Sequence, residues 1–297
     1  MKSYLSIDIG GTEIKFAHIK ESGQIIEKGK ISTPDNKQKF LSEIDQIVAK
    51  HSQNISGLAM CAPGKIEKTK IRFGGAILYL DGIDFGKIYQ GKKFPVTIIN
   101  DGKAAVLAEN WLGNLKGEKN CATITLGTGV GGGIIVDGHL LHGAHFQAGE
   151  ISLMINDISH PKNMQGSIGT LRSAVRFVRE VNQKLDYANK NDGLHAFEAI
   201  KKQVPEAVAI FDQYCLNLAS LILNLQTVVD LNKIAIGGGI SSQPILIERI
   251  NLVYDQLVNN LNPVIGSTLT KPEIVPAKFK NDANLYGALY NLLFKVD

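Results

Sequence analysis

The feature that most constrains how this chain folds is a plan that it uses twice. Residues 4–31 and residues 121–142 each run as apolar strand, polar glycine loop, strand, tight turn and strand. The two loops are Asp8-Ile9-Gly10-Gly11-Thr12 and Leu126-Gly127-Thr128-Gly129-Val130-Gly131-Gly132-Gly133. Alternation of apolar and polar residues over 4–8, 13–20 and 24–31, interrupted by Gly10-Gly11 and Glu21-Ser22-Gly23, predicts an antiparallel meander. The second copy predicts strands over 121–126 and 133–136, then the hairpin-turn dipeptide Asp137-Gly138 and a return strand from Leu140. Each glycine loop therefore joins two strands of a hairpin. Two copies predict two similar α/β domains facing each other across a cleft.

Between and beyond the copies the pattern is mixed. Apolar residues at Phe40, Leu41, Ile44, Ile47 and Val48 have helical spacing. Residues 55–60 form a short buried strand that runs into Cys61-Ala62-Pro63-Gly64, and 95–99 form another that stops at Asn100-Asp101-Gly102 before a helix over 103–111. Beyond residue 165 the periodicity predicts helices over 168–185, 194–202 and 204–229. A strand over 233–236 follows, closed by Gly237-Gly238-Gly239, and then helices over 245–260 and 284–294.

The glycine loops carry the first chemistry. Without Cβ atoms a loop backbone can approach a phosphate closely, and consecutive N–H groups form an anion-binding nest. Thr12 and Thr128 add hydroxyl donors. Asp8, at the strand end beside the first loop, is suited to organising magnesium through its water shell. The alternative for either loop alone is an ordinary glycine-rich hairpin. Gly127-x-Gly129-x-x-Gly132 also matches the dinucleotide fingerprint, with Glu150 near the distance of its acidic residue. That site needs a helix directly after the loop, whereas a strand and a hairpin turn follow here. Gly237-Gly238-Gly239 offers flat backbone for the face of an adenine ring, or is a strand-to-helix turn.

Asn100-Asp101, at a strand-to-helix junction, supplies a carboxylate that can accept the proton of an attacking hydroxyl and an amide that can hold a neighbouring one. The alternative is that Asp101 is a helix N-cap. Glu150 is a second candidate for hydroxyl recognition, since a carboxylate accepts paired hydroxyl hydrogen bonds; the alternative is an exposed loop acid. His139, His142 and His145 recur every three residues, but on a hairpin and loop they share no helical face, and no metal site is expected there.

The formal charge of +4 is mild and scattered, with no basic stripe for nucleic acid. The chain opens on a strand pattern without an apolar leader, and no run approaches about 20 uninterrupted apolar residues, so neither a signal peptide nor a membrane span is expected. Cys61, Cys121 and Cys215 are far apart and suit a reducing cytoplasm rather than a disulfide framework.

Together, Asp8-Ile9-Gly10-Gly11-Thr12, Ala62-Pro63-Gly64, Asn100-Asp101-x-x-Ala104-Ala105, Leu126 to Gly133, Ala148-Gly149-Glu150 and Ile236-Gly237-Gly238-Gly239 resemble the ROK family of the hexokinase–actin superfamily, over essentially the whole chain. The resemblance implies an α/β actin-like (hexokinase/ribonuclease H-like) two-domain fold, taken here as 1–112 plus 283–297 and 113–282. It implies ATP-dependent phosphorylation of a hexose-type sugar, usually at the 6-hydroxyl, in a cytoplasmic homodimer. Asp101 corresponds to the general base, Asn100 and Glu150 to sugar-binding positions, and Gly64 to the loop over the sugar. Gly10, Gly11, Thr12, Thr128 and Gly129 correspond to phosphate contacts of ATP, and Gly238 to the adenosine side; Mg2+ is the expected metal, at Asp8 through water.

Two departures stand out. The family continues from the glutamate as Glu-x-Gly-His and then a cysteine-rich zinc motif, whereas this chain reads Glu150-Ile151-Ser152-Leu153 and has no cysteine between Cys121 and Cys215. No zinc site is expected, the family's sugar-linked histidine is replaced by leucine, and its downstream glutamate has no counterpart near Gly166. The expected substrate widens accordingly from glucose to N-acetylmannosamine or a β-glucoside. The second departure is Lys103, where the family often has Asn. The alternative function is a sugar-binding transcriptional regulator of the same family without kinase activity. Such regulators carry an N-terminal DNA-binding segment, whereas the strand pattern here starts by Tyr4 and Asp101 and the phosphate loops are intact.

Overall fold

The computed structural model describes residues 2–75, 77–157, 159, 166–261 and 263–294. It divides into two compact units. One holds the chain up to Gly117, His139–Ala148 and the segment from Asp282; the other holds Glu118–Gly138 and Gly149–Asn281.

In the first unit the alternation becomes the predicted meander: β1 (Ser3–Ile9), β2 (Glu13–Lys20) and β3 (Ile25–Ser32) are antiparallel neighbours. β4 (Leu58–Ala62) and β7 (Val96–Asn100) extend the sheet in parallel, in the order β3-β2-β1-β4-β7. A small hairpin, β5 (Lys65–Glu67) and β6 (Lys70–Arg72), lies between them in sequence and was not legible from periodicity, being only three residues per strand.

The two-residue period sorts side chains onto opposite faces. Leu5, Ile7 and Ile9 of β1 join one apolar cluster with Phe40, Ile44, Ile47 and Val48 of α1 (Lys37–His51). Ser6, on the opposite face, donates from its hydroxyl to the Leu285 carbonyl of the last helix, Ala283–Phe294. That helix packs on α3 (Asp101–Leu112) and on β1 and β4. A four-residue helix, α2 (Phe85–Ile88), completes this part of the chain.

The second unit carries the other copy of the plan. β8 (Cys121–Leu126) and β9 (Val130–Val136) form an antiparallel hairpin around the glycine loop, and the chain then passes to β10 (His139–Leu140). β11 (Lys233–Gly237) pairs in parallel with β8, and β12 (Glu273–Pro276) with β11.

The helix expected over 168–185 is in fact two, α4 (Ile168–Leu171) and α5 (Ala174–Lys184). Ser173 causes the break: its hydroxyl accepts the Arg176 N–H and caps α5. α6 (Gly193–Lys201), α7 (Pro205–Val229), α8 (Pro244–Asn259) and α9 (Pro263–Gly266) follow, and the last helix of the chain is α10. By length and composition α7 could cross a membrane. Here Phe211, Leu218, Leu221 and Ile222 are buried in a cluster with residues of α5, α6 and α8, so it is the core helix of its unit.

Candidate functional site

In the first unit, three parallel strands bring the motifs to one edge. Asp8 pairs with Cys61, Cys61 with Ile99, and Ala62 with Asn100. The loop 10–12, the segment Ala62-Pro63-Gly64 and the Asn100-Asp101 pair therefore leave the sheet together at its carboxyl ends, the edge where α/β sheets bind ligands.

Asp8 is only 6% exposed. Its Oδ1 accepts a 3.0 Å hydrogen bond from Asn284 Nδ2, and Lys15 Nζ lies 3.8 Å from Oδ2. Burial pushes the Asp8 carboxyl above the usual carboxylate range, opposed by Asn284 and by the Lys15 ammonium. The first loop is closed by Gly10 N–H donating to the Glu13 carbonyl at 3.1 Å, and Thr33 holds it from outside through its hydroxyl to the Gly10 carbonyl at 2.6 Å.

Asn100 has both ends of its carboxamide engaged. Its Oδ1 accepts the Lys103 N–H at 3.2 Å and so caps α3, and its Nδ2 donates to the Gly64 carbonyl at 2.9 Å. The N-cap is thus Asn100, not Asp101. That leaves Asp101 in the first turn of α3, with Oδ1 accepting the Gly102 N–H at 2.8 Å. Gly64 has φ +93°, and a Cβ there would lie 1.7 Å from the Phe73 carbonyl oxygen, so no other residue fits this loop.

The same unit contains a cavity of 590 Å³ that reaches Asn100. The loop after β10 forms part of its wall, and Lys103 spans to that loop. The Lys103 side chain is 4% exposed overall and its ammonium donates to the Phe146 carbonyl at 3.0 Å and the His142 carbonyl at 3.5 Å. This gives a physical account of the lysine that sequence alone left unexplained.

In the second unit the register pairs Gly237 with Thr125, so loop 127–129 and Gly238 emerge side by side. Gly238 has φ +94°, and a Cβ would sit 2.0 Å from the Leu126 carbonyl oxygen. Gly129 differs: its φ lies outside the left-handed range, and among the described residues a Cβ would meet nothing within 4 Å; the same holds for Gly11 of the first loop. Among the described residues these two glycines answer no steric demand. Glu150 precedes the 3₁₀ turn Ile151–Leu153, and the neighbouring Gly149 packs against Gly132.

Three supports escaped sequence reasoning. Asn284 holds Asp8 from the far end of the chain. The Ala174 N–H, at the start of α5, donates to the Gly127 carbonyl at 2.9 Å and anchors the second loop. A surface groove of 610 Å³ next to Thr128 is lined by Ser173, Arg176 and Arg179. The arginines, one helical turn apart on the exposed side of α5, are the only signal that periodicity could have offered for it.

The family model described as ROK family matches residues 4–294. A glucokinase of Halalkalibacterium halodurans is 34% identical over 272 residues, covering 80% of each chain. A beta-glucoside kinase of Listeria innocua is 30% identical over 297 residues, covering 97% of this chain and 96% of its own. Among solved structures, a ROK family protein of Streptococcus pneumoniae in complex with sucrose superposes with a TM-score of 0.87 at 31% identity, covering 99% of this chain and 98% of that one. The architecture shared with these proteins is the α/β actin-like fold.

Proposed function

Since the chain belongs to the ROK family, we propose that it is an ATP-dependent sugar kinase that phosphorylates a hexose-type substrate at its 6-hydroxyl with Asp101 as general base. The observation that carries this is the Asn100-Asp101 junction. Asn100 takes over both the capping of α3 and the tether to Gly64, so the Asp101 carboxylate is not needed as the cap and can serve as base. A carboxylate in that position accepts the proton of the attacking hydroxyl, and little further covalent chemistry is required of the protein.

The relatives named as glucokinase and beta-glucoside kinase support a sugar acceptor. In this reading Gly64, Asn100 and Glu150 hold the sugar. Gly10, Gly11, Thr12, Thr128 and Gly129 bind the ATP phosphates, and Gly238 flanks the adenosine. The open backbone at Gly11 and Gly129 supports this assignment, because a phosphate can approach there without meeting a side chain.

The buried Asp8 carboxylate fits a magnesium ion held through water, since a nearby cation favours its ionised form. Magnesium bound there supplies charge neutralisation for the transferring phosphoryl group. We place the enzyme in the cytoplasm as a homodimer, which sedimentation velocity would check. A chain that sediments as a monomer at working concentration refutes the dimer.

The test is ADP release with magnesium-ATP over glucose, mannose, N-acetylmannosamine, N-acetylglucosamine, fructose and cellobiose, with Asp101→Asn as control. Sugar-dependent turnover lost in the variant, with the phosphate mapped to the 6-position, supports the proposal. Turnover that survives Asp101→Asn removes the base assignment, and the absence of sugar-dependent ADP release removes the kinase.

A further inference from the structure

The 590 Å³ cavity of the first unit lies within the range of roughly 300–1,000 Å³ that small-molecule sites occupy. Its formal charge has one sign. Lys68, on the β5–β6 turn, and Lys103, in the first turn of α3, both line it, and among the described residues that line it none is acidic. Lys103 is 4% exposed, and its ammonium is held by the carbonyls of His142 and Phe146, themselves two residues of the cavity wall. The cation is therefore fixed at the wall instead of being carried on a mobile surface arm. A charge set in a poorly solvated wall acts across a cavity more strongly than it would through bulk water.

Lys68 adds an independent observation, because the acids beside it are committed elsewhere. Glu67 pairs with Lys65 at 2.8 Å and with Arg72 at 3.1 Å. Asp84, which lines a second cavity together with Lys68, accepts from the Thr69 hydroxyl at 2.8 Å and from the Lys87 N–H at 3.2 Å. The turn thus presents an exposed ammonium whose neighbouring carboxylates already hold other donors. The rest of the cavity is mixed. Thr69, Thr97 and Asn291 bring hydroxyl and amide groups, set among isoleucines and the Phe146 side chain. That combination suits a hydroxylated carbon skeleton with an anionic group attached. A carboxylate would neutralise one of the two lysines, whereas a phosphate monoester carries about 1.5–2 negative charges near pH 7 and matches both.

We propose that this cavity is a binding site for a phosphorylated sugar or polyol, with Lys68 on its phosphate and Lys103 as the fixed positive charge of its wall. The site goes beyond the sugar-kinase reading and does not depend on it. A compound that already carries phosphate is not the neutral acceptor presented to Asp101, and its binding here needs neither ATP nor the Asp101 carboxylate. The same chemistry has two sources, a hexose phosphate such as the kinase would itself release and a phosphorylated polyol made elsewhere.

The experiment is isothermal titration of the full chain, without ATP and at one ionic strength, with glucose 6-phosphate, glycerol 3-phosphate, glucose, glycerol and inorganic phosphate. At least one ester should bind at least about tenfold tighter than its unphosphorylated parent and than inorganic phosphate. Which ester binds more tightly identifies the source. Lys68→Met and Lys103→Gln should each bring the ester-to-parent ratio to about threefold or less, and Lys68→Arg should keep most of it. Because the readout is a ratio between ligands, a general loss of folded protein does not mimic it. Lys68→Met should leave sugar-dependent ADP release within about twofold, since Lys68 has no part in the proposed transfer. Esters that bind no tighter than their parents, a preference that survives Lys68→Met, or inorganic phosphate that binds as tightly as both esters overturns the site and leaves the kinase intact. Ester binding that depends on Lys68 in a chain without sugar-dependent ADP release overturns the kinase reading and leaves the site.

Discussion

Replacing Gly129 and Gly238 separately by alanine should divide the glycines of the second unit into one that serves a ligand and one that serves the fold. At Gly238 alanine meets two obstacles. Its φ of +94° is unfavourable for any residue with a Cβ, and that Cβ would lie 2.0 Å from the Leu126 carbonyl oxygen and 2.6 Å from its carbon. Left-handed strain of roughly 1–2 kcal/mol and overpacking against immobile backbone of roughly 1–3 kcal/mol add to a loss of about 2–5 kcal/mol. At Gly129 neither obstacle exists, and the reduced freedom of the unfolded chain should leave stability unchanged or raised by up to about 1 kcal/mol. The function should respond in the opposite way. A methyl group on the open face of the loop blocks close approach of phosphate, so Gly129→Ala should raise the KM for ATP about tenfold or more while the sugar KM moves little. Urea unfolding of the two variants, with initial rates over an ATP series, measures both quantities. The reasoning is refuted if Gly129→Ala lowers the urea midpoint as far as Gly238→Ala does, or if it unfolds normally and its KM for ATP is unchanged.

Asp101→Asn should lower kcat by about 10²–10⁴ with no loss of thermal midpoint, because Asn100 caps α3 and an asparagine at 101 keeps an oxygen for the Gly102 N–H; a fall in stability comparable to a lost cap contradicts this. Asn100→Ala removes the cap and the bond to the Gly64 carbonyl together, so urea unfolding should register a loss of about 1–2 kcal/mol and steady-state kinetics a raised sugar KM. His51 is buried, with Phe16 and His18 rings against it, and burial holds its pKa below the ordinary value despite the Glu27 carboxylate. Its folded pKa is depressed, so the unfolded chain takes up the proton first. Stability present above about pH 6.5 should then be lost as pH falls toward 5. His51→Gln should flatten that slope in urea midpoints measured from pH 7.5 to 5, and an unchanged slope assigns the acid sensitivity elsewhere.

Much of this protein follows from short-range pattern. Alternation at period two gives the meander and the β8–β9 hairpin, and helical spacing gives α1, α6, α7 and α8, because each depends only on which side chains share a face. The glycine loops and the Asn100-Asp101 junction are legible for the same local reason: the backbone freedom of glycine and the capping chemistry of a strand-to-helix boundary belong to the residues themselves. The β5–β6 hairpin is too short to carry a period, and the break at Ser173 looks like continuous helix until the hydroxyl is seen on the Arg176 N–H.

What the sequence could not decide is which distant groups complete the site. The Asn100 amide meets the Gly64 carbonyl 36 residues away, and Asn284 reaches Asp8 across 276 residues. Lys103 reads as a conflict with the family pattern until the chain after β10 returns to it and offers the carbonyls of His142 and Phe146. None of these partners lies within a helical turn or a strand pair of its neighbour. They are selected when parallel strands bring separate loops to one sheet edge, and polar groups buried there take whichever donor or acceptor the packed chain delivers. The sequence by itself determined the elements and the chemical groups at their ends; the tertiary structure alone decided which of those groups hold one another.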